Sequence, residues 1–93
     1  MARLIRMSDG KGDSGSNVEA IRLNPETDNP EYKHTREPIV GWALRVGSVT
    51  ARTYSNQDWW MTTPVTEIME RTEKDNELYV KFKTGNSIYE FWN

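Results

Sequence analysis

ELYVKFKTGNSIYEFWN, residues 77–93, has the pattern of a β-hairpin. Apolar and polar side chains alternate on both sides of a Gly-Asn pair, a sequence typical of the turn between two strands. A two-residue loop at this pair predicts four cross-strand pairs: Phe82 with Tyr89, Val80 with Phe91, Lys81 with Glu90, and Tyr79 with Trp92. The first two pairs predict a core face. The aromatic pair Tyr79 and Trp92 lies on the opposite face, so it needs a cover, either the N-terminal segment or another molecule.

Further strands are predicted upstream of the hairpin. Residues 39–54 alternate in polarity around Gly47-Ser48, which predicts two strands or one strand bent at the glycine. TTPVTEIME, residues 62–70, fits a short helix with Thr63 as its N-cap, but its β-branched residues also fit a bent edge strand. We favour the strand because strands are predicted on both sides of it. Residues 74–76 then form the turn into the closing hairpin.

The first third of the chain carries weaker signals. Residues 1–7 and 17–23 each indicate a short strand, although a short helix also fits the second segment. Residues 8–17 are rich in Gly, Ser and Asp and predict a flexible loop. Residues 24–38 hold three prolines among polar residues and predict a long irregular connection.

These signals predict one small domain over residues 1–93. It consists of an irregular, partly mobile arm at 1–37 and an antiparallel β core at 38–93. Four to six short strands with little helix must bury one sheet face by curling or by folding one layer on another. The predicted fold is therefore all-β, either a small open barrel of SH3-like type or a compact antiparallel sheet.

Composition narrows the classes of function. The 93 residues carry a net charge of −2, which argues against a protein built mainly to coat nucleic acid. Cysteine is absent, so the chain has no disulfide and no thiolate ligand or nucleophile, and an intracellular setting is favoured. The apolar runs are too short for a signal peptide or a membrane span. We expect a soluble, cytoplasmic protein without a membrane partner.

The chemical motifs are weak. GKGDSG, residues 10–15, matches the glycine pattern of dinucleotide sites, but no convincing helix follows it, and a flexible loop explains it better. Asp9 and Asp13 lack the alternating acids of a calcium loop. His34 is the only histidine and has no recognisable nucleophile motif beside it. We therefore predict no metal site, no cofactor, no catalytic residue and no enzymatic activity.

Aromatic and arginine side chains are the most informative functional signal. Adjacent Trp59 and Trp60 point to opposite faces if they lie in a strand, so one of them is exposed unless both faces are covered. Exposed Trp, Tyr and Arg anchor protein interfaces and stack on nucleic-acid bases. The candidate binding residues are Arg52, Tyr54, Trp59, Trp60, Tyr79 and Trp92. Three interpretations stay open: packing beneath the N-terminal segment, a protein interface, and nucleic-acid or nucleotide binding.

Three segments carry a family resemblance: WALRVGS at 42–48, SNQDWWMTTPVTEI at 55–68 and VKFKTGNSIYEF at 80–91. In these segments the sequence resembles small proteins of unassigned function that tailed bacteriophages encode, notably phages of marine and cyanobacterial hosts. The resemblance covers about the C-terminal half and leaves residues 1–37 outside. It implies a phage source and the cytoplasm of an infected cell, and it assigns no site residue.

The leading hypothesis is a non-enzymatic binding or assembly module. Its partner is a protein, either a second copy or a phage or host protein, bound through an aromatic face around Trp59, Tyr79 and Trp92. The alternative is a weak binder of single-stranded nucleic acid or nucleotide that uses Arg52, Tyr54, Trp60 and Lys83. A small enzyme is the third hypothesis.

Overall fold

The structure, a computed structural model, describes residues 2–47 and 59–93. Within those ranges the regular elements are all β-strands: β1 (Ala2–Arg6), β2 (Gly12–Gly15), β3 (Asn17–Leu23), β4 (Pro30–His34), β5 (Ala43–Gly47), β6 (Trp59–Met61), β7 (Val65–Lys74), β8 (Glu77–Thr84) and β9 (Ile88–Trp92). They form two antiparallel sheets, so the all-β prediction is confirmed. Sheet A has the order β2-β1-β9-β8-β7, and sheet B has the order β4-β3-β5-β6. The strand predicted after Gly47-Ser48 lies outside the described residues.

The closing hairpin has the predicted register. In β8 and β9, Phe82 lies opposite Tyr89, Val80 opposite Phe91, Lys81 opposite Glu90 and Tyr79 opposite Trp92. Four of these side chains are buried in the core, namely Val80, Phe82, Tyr89 and Phe91. Phe82 and Tyr89 stack with their ring centroids 5.3 Å apart. The alternation of the sequence therefore fixes both the pairing and the face that is buried.

The segment predicted as an edge strand at residues 62–70 is a strand and not a helix, but the strand begins at Val65 and continues to Lys74, which was predicted to lie in the turn. β7 pairs with β8, and its register shifts between Val65 and Glu67 and again between Ile68 and Glu70. These irregularities are β-bulges, which bend an edge strand. The turn that follows has positive φ at both Asp75 and Asn76, 54° and 66°. That backbone geometry is typical of the tight turn that matches strand twist.

Residues 1–37 are not an irregular arm: β1 and β3 match the short strands predicted at 1–7 and 17–23, and β2 and β4 are two further strands in segments predicted to have none. β1 even lies inside sheet A, between β2 and β9. β2 lies within residues 8–17, which were predicted to form a loop. β4 lies within residues 24–38, which were predicted to form an irregular connection. β2 and β4 are sheet edges, where backbone hydrogen bonds to one neighbour can hold a polar strand that buries little of its own surface.

The glycine motif at residues 10–15 serves this packing. Gly12 pairs with Ile5 in the β1–β2 ladder. A Cβ added at Gly12 would lie 1.8 Å from the carbonyl oxygen of Leu4. Only glycine permits such a close approach of two backbones. The prediction of a flexible loop is therefore wrong here, and the motif has a structural role in the hairpin.

The chain passes between the two sheets twice within the described ranges. Ser16 alone separates β2 of sheet A from β3 of sheet B, and residues 62–64 separate β6 of sheet B from β7 of sheet A. At the second crossing the amide of Thr62 donates to the carbonyl of Leu44 (2.8 Å). The amide of Leu44 donates in turn to Oγ1 of Thr62 (3.0 Å). These bonds continue the pairing where the strand leaves its sheet.

One hydrophobic core lies between the inner faces of the sheets. Sheet A contributes mainly side chains of β1, β8 and β9, and sheet B contributes those of β3 and β5. The fully buried large side chains are Leu4, Leu44, Val46, Val65, Leu78, Val80, Phe82 and Phe91. Trp60 and Ile68 pack against this cluster while keeping partial exposure. The outer faces of the two sheets therefore point away from each other.

Candidate functional site on the outer face of sheet B

The outer face of sheet B is formed by the side chains that alternate with the core residues of β3, β5 and β6. Arg45 lies opposite Met61 in the β5–β6 ladder, and Ile21 lies opposite Tyr32 in the β3–β4 ladder. Trp59 lies opposite Gly47, next to Arg45 on the same face. We call this surface the Trp59 face, defined by Ile21, Leu23, Tyr32, Arg45, Trp59 and Met61.

This face concentrates exposed apolar surface. Leu23 keeps 66% of its surface exposed, Tyr32 59%, Met61 47% and Trp59 43%. The remaining large apolar side chains with comparable exposure, among residues 2–47 and 59–93, are Met7, Val40 and Met69. Single exposed apolar residues are normal on a protein, whereas a contiguous group marks a surface that binds something.

Arg45 lies at the centre of the Trp59 face between two aromatic rings. Its guanidinium carbon is 5.8 Å from the ring centroid of Tyr32 and 5.9 Å from that of Trp59. Both distances fall in the range of a cation–π contact. The three side chains therefore hold one another in a row across the sheet.

The charge of Arg45 is compensated within the chain. Its Nη2 donates to Oε1 of Glu19 (2.9 Å), and Nδ2 of Asn17 donates to the same oxygen (2.6 Å). Burial raises the pKa of Glu19, but the hydrogen bonds from Asn17 and Arg45 outweigh it and hold the pKa below its ordinary value. The Trp59 face thus contains an ion pair that needs no outside counterion.

The outer face of sheet A carries the other aromatic pair. The rings of Tyr79 and Trp92 are 5.6 Å apart, and the guanidinium of Arg3 lies 5.6 Å from the Trp92 ring. Oη of Tyr79 donates to Oε2 of Glu90 (2.7 Å). Burial, and then this hydrogen bond, raise the pKa of Tyr79 to about 12. Lys81 lies opposite Glu90 in the β8–β9 ladder, so charged side chains border this aromatic pair.

The predicted aromatic face around Trp59, Tyr79 and Trp92 is not a single surface. Trp59 belongs to the outer face of sheet B, whereas Tyr79 and Trp92 belong to that of sheet A. The two sheets pack through their inner faces, so these residues point in opposite directions. Of the two expected covers for Tyr79 and Trp92, the N-terminal segment supplies Arg3 as a flanking neighbour in β1.

The other predicted binding residues have different positions. Trp60 points inward, opposite to Trp59, and packs against the core with the guanidinium of Arg6 4.9 Å from its ring centroid. Its buried Nε1 has no hydrogen-bond partner among the described residues. Arg52 and Tyr54 lie outside the described residues. Among the predicted binding residues that the structure describes, Trp59 is therefore the one that lies on the outer face of sheet B.

Five of the six members of the Trp59 face were not among the predicted binding residues, and two of them, Tyr32 and Arg45, form the row with Trp59. Tyr32 lies in the segment 24–38, whose prolines predicted an irregular connection, although β4 covers residues 30–34. Arg45 stands between Leu44 and Val46, and this alternation already predicted an outward position for it. The missing signal was the neighbour relation between β4, β3 and β5, which pairs residues distant in sequence.

The described ranges contain no group of three or more His, Cys, Asp or Glu side chains arranged to hold a metal ion. The same ranges offer no helix with the length and hydrophobicity of a membrane span. Comparison of the chain with protein-family models, with curated proteins and with solved structures gives no match. The Trp59 face itself is therefore the basis for assigning a function.

Proposed function

We propose that the protein is a non-enzymatic binding module and that the Trp59 face binds a protein partner. The observation that carries this proposal is the row of Tyr32, Arg45 and Trp59 bordered by exposed aliphatic side chains. Aromatic residues, Met and Arg are the residue types enriched at the centre of protein interfaces. Because this row lies on a β-sheet, its backbone is already rigid. Binding a partner there costs little further conformational entropy.

The charge distribution favours a protein partner over a nucleic acid. Affinity for phosphates requires uncompensated Lys and Arg. On this face the charge of Arg45 is neutralised by Glu19, and the whole chain is acidic, with a net charge of −2. An apolar, internally neutral face is instead suited to a partner surface that also loses water on contact.

Single-stranded nucleic acid is the second candidate, because two aromatic rings beside an arginine can stack on bases. This hypothesis predicts that an oligonucleotide quenches tryptophan fluorescence at low salt and that the quenching fades as salt is added. Quenching in wild type that persists in Trp59→Leu would locate binding elsewhere. Absence of quenching at low salt removes this candidate.

The matched pair Met61→Lys and Met69→Lys tests the proposed protein interface. The two methionines have nearly equal exposure, 47% and 43%, so the substitutions should affect folding alike. Met61 belongs to the Trp59 face, whereas Met69 lies on the edge strand β7 of sheet A. We expect Met61→Lys to lose a captured partner that wild type and Met69→Lys both retain. Equal capture by all three folded proteins would refute the proposal.

The resemblance of the C-terminal half to small bacteriophage proteins supports a partner in the cytoplasm of an infected cell, either a phage or a host protein. The genes that flank this one in its source genome test that origin. Capsid, tail or replication genes beside it would support the phage assignment, and a bacterial metabolic operon would contradict it. The finer assignment of the two sheets to an SH3-like barrel stays a prediction.

A further inference from the structure

We propose that the partner on the Trp59 face is a second copy of this chain, which forms a two-fold symmetric dimer by stacking sheet B on sheet B. This inference rests on the proposed function, because it names the occupant of the same surface. It follows from the positions that residues hold across the β3–β5 ladder. A face-to-face dimer needs a surface that is complementary to itself, so that each contact occurs twice.

The charges of the face are complementary under one particular axis. Glu19 of β3 lies directly opposite Arg45 of β5. A two-fold axis that runs parallel to the strands, between β3 and β5, places Glu19 of one copy over Arg45 of the other. Both hydrogen bonds that Glu19 accepts within the described residues end on Oε1. We assign Oε2, beside His34 on the same face, as the acceptor for the guanidinium of the second copy, which gives a ring of four alternating charges.

The sizes of the side chains agree with the same axis. Ile21 lies opposite Ala43 in the same β3–β5 ladder. The axis therefore places the larger Ile21 of each copy over the smaller Ala43 of the other. Asn17 lies opposite Gly47, which has no side chain, and these two residues meet in the same way. Where a large side chain of one copy lies over a small one of the other, the side chains of the two sheets can interdigitate and the sheets can pack closely.

The size of the face limits the affinity. Four strands spaced about 4.8 Å apart, each about five residues long at about 3.3 Å per residue, give a footprint of roughly 300 Å². A standard stable interface buries about 800 Å² on each partner. The dimer should therefore be reversible and should form at high protein concentration. The internal neutrality of the face prevents the charge repulsion that would otherwise oppose two acidic chains.

Sedimentation equilibrium over a range of protein concentrations tests the dimer. Wild type and Met69→Lys should rise from 10.8 kDa towards twice that mass, and Met61→Lys should need about a tenfold higher concentration or more, because it places an unpaired charge in the interface. Wild type that stays at monomer mass at every concentration overturns the inference. Equal dimerisation of all three proteins places the dimer interface elsewhere and also overturns it.

A pair of charge reversals tests the axis. Glu19→Arg and Arg45→Glu should each prevent dimerisation, because like charges then face each other across the axis. An equimolar mixture of the two variants should recover the mass of a dimer, because one chain then presents two positive charges and the other two negative charges at these positions. Circular dichroism checks that both variants are folded. A wild-type dimer without recovery in the mixture overturns this axis.

A photo-crosslinking experiment separates the failure of this inference from the failure of the proposed function. Tyr32, which is 59% exposed on the face, is replaced by p-benzoyl-phenylalanine, and the purified protein is irradiated at the highest concentration of the sedimentation experiment, both alone and with a lysate of the source cells added. Lys83, exposed near the turn at the end of β8, is the control position. A self-adduct specific to Tyr32 supports the dimer. An adduct with a different protein overturns the dimer and leaves the proposed function intact, and no adduct overturns both.

Discussion

Gly12→Ala should be among the most destabilising small substitutions in the described chain. The new methyl carbon would lie 1.8 Å from the carbonyl oxygen of Leu4, and 3.0 Å is the closest approach that real Cβ atoms show, so the strands must separate by about 1.2 Å. Leu4 cannot yield, because it is fully buried and pairs with Phe91 on its other side. Overpacking of this kind costs about 1–3 kcal/mol, and each weakened ladder hydrogen bond adds about 1 kcal/mol. We therefore expect the free energy of unfolding to fall by about 2–4 kcal/mol.

Urea denaturation followed by circular dichroism measures this loss, and two further glycines provide controls. An alanine at Gly85 meets nothing within 4 Å, so Gly85→Ala should stay within about 1 kcal/mol of wild type. Gly10 also has open space but a φ of +70°, so Gly10→Ala should cost about 1–2 kcal/mol through backbone strain alone. If Gly12→Ala is as mild as Gly85→Ala, the N-terminal segment does not pack as a strand of sheet A.

Three other predictions test polar contacts. The side-chain hydrogen bond from Arg6 lowers the pKa of Asp9 from 3.8 to about 2; the stability this contributes is present above about pH 4 and lost as pH falls towards 2, and acid titration of Asp9→Asn should show a shallower loss over that window. The pKa of the Tyr79 phenol is raised to about 12, so the stability that its neutral form contributes should disappear as pH rises from about 10 to 12; Tyr79→Phe should remove an ultraviolet titration step near pH 12, and removal of a step near pH 10 instead would contradict the hydrogen bond to Glu90. Thr62→Val removes the acceptor of the buried Leu44 amide and should cost about 1–3 kcal/mol in urea denaturation, whereas the exposed neighbour Thr63→Val should cost much less; equal losses would contradict the crossing geometry.

The parts of the fold that could be predicted are the strands whose pattern of apolar and polar side chains indicates which face is buried. Alternation in residues 77–93 predicted the register of the last hairpin, and β-branched residues correctly favoured a strand over a helix in the segment 62–70, although the strand runs from Val65 to Lys74. β2 and β4 could not be predicted in the same way. Gly12–Gly15 and Pro30–His34 are held at sheet edges by backbone pairing, and their side chains are mostly polar or exposed. The amino-acid composition of these two strands therefore resembles that of a loop.

The candidate site shows the same limit. The adjacency of Trp59 and Trp60 predicted that one tryptophan would face outward, and Trp59 does. The sequence could not predict that Tyr32 and Arg45 would be its neighbours, because three strand pairings, β4–β3, β3–β5 and β5–β6, bring the three residues together. It also grouped Tyr79 and Trp92 with Trp59, although the sandwich separates them. Local periodicity determines which way a side chain points, whereas the sheet order determines which side chains share a surface.

The pairing of the first strand with the last has a consequence for how the protein is made. β1 lies between β2 and β9 in sheet A, and Arg3 pairs with Trp92. During synthesis, β1 therefore acquires its second neighbour only after all the strands between β2 and β9 have been made, so the β1–β9 pairing is among the last contacts that can form. Contacts so distant in sequence also slow folding. Until β9 emerges, the backbone groups of β1 that pair with β9 have no partner strand, which leaves an open sheet edge of the kind that favours misassembly.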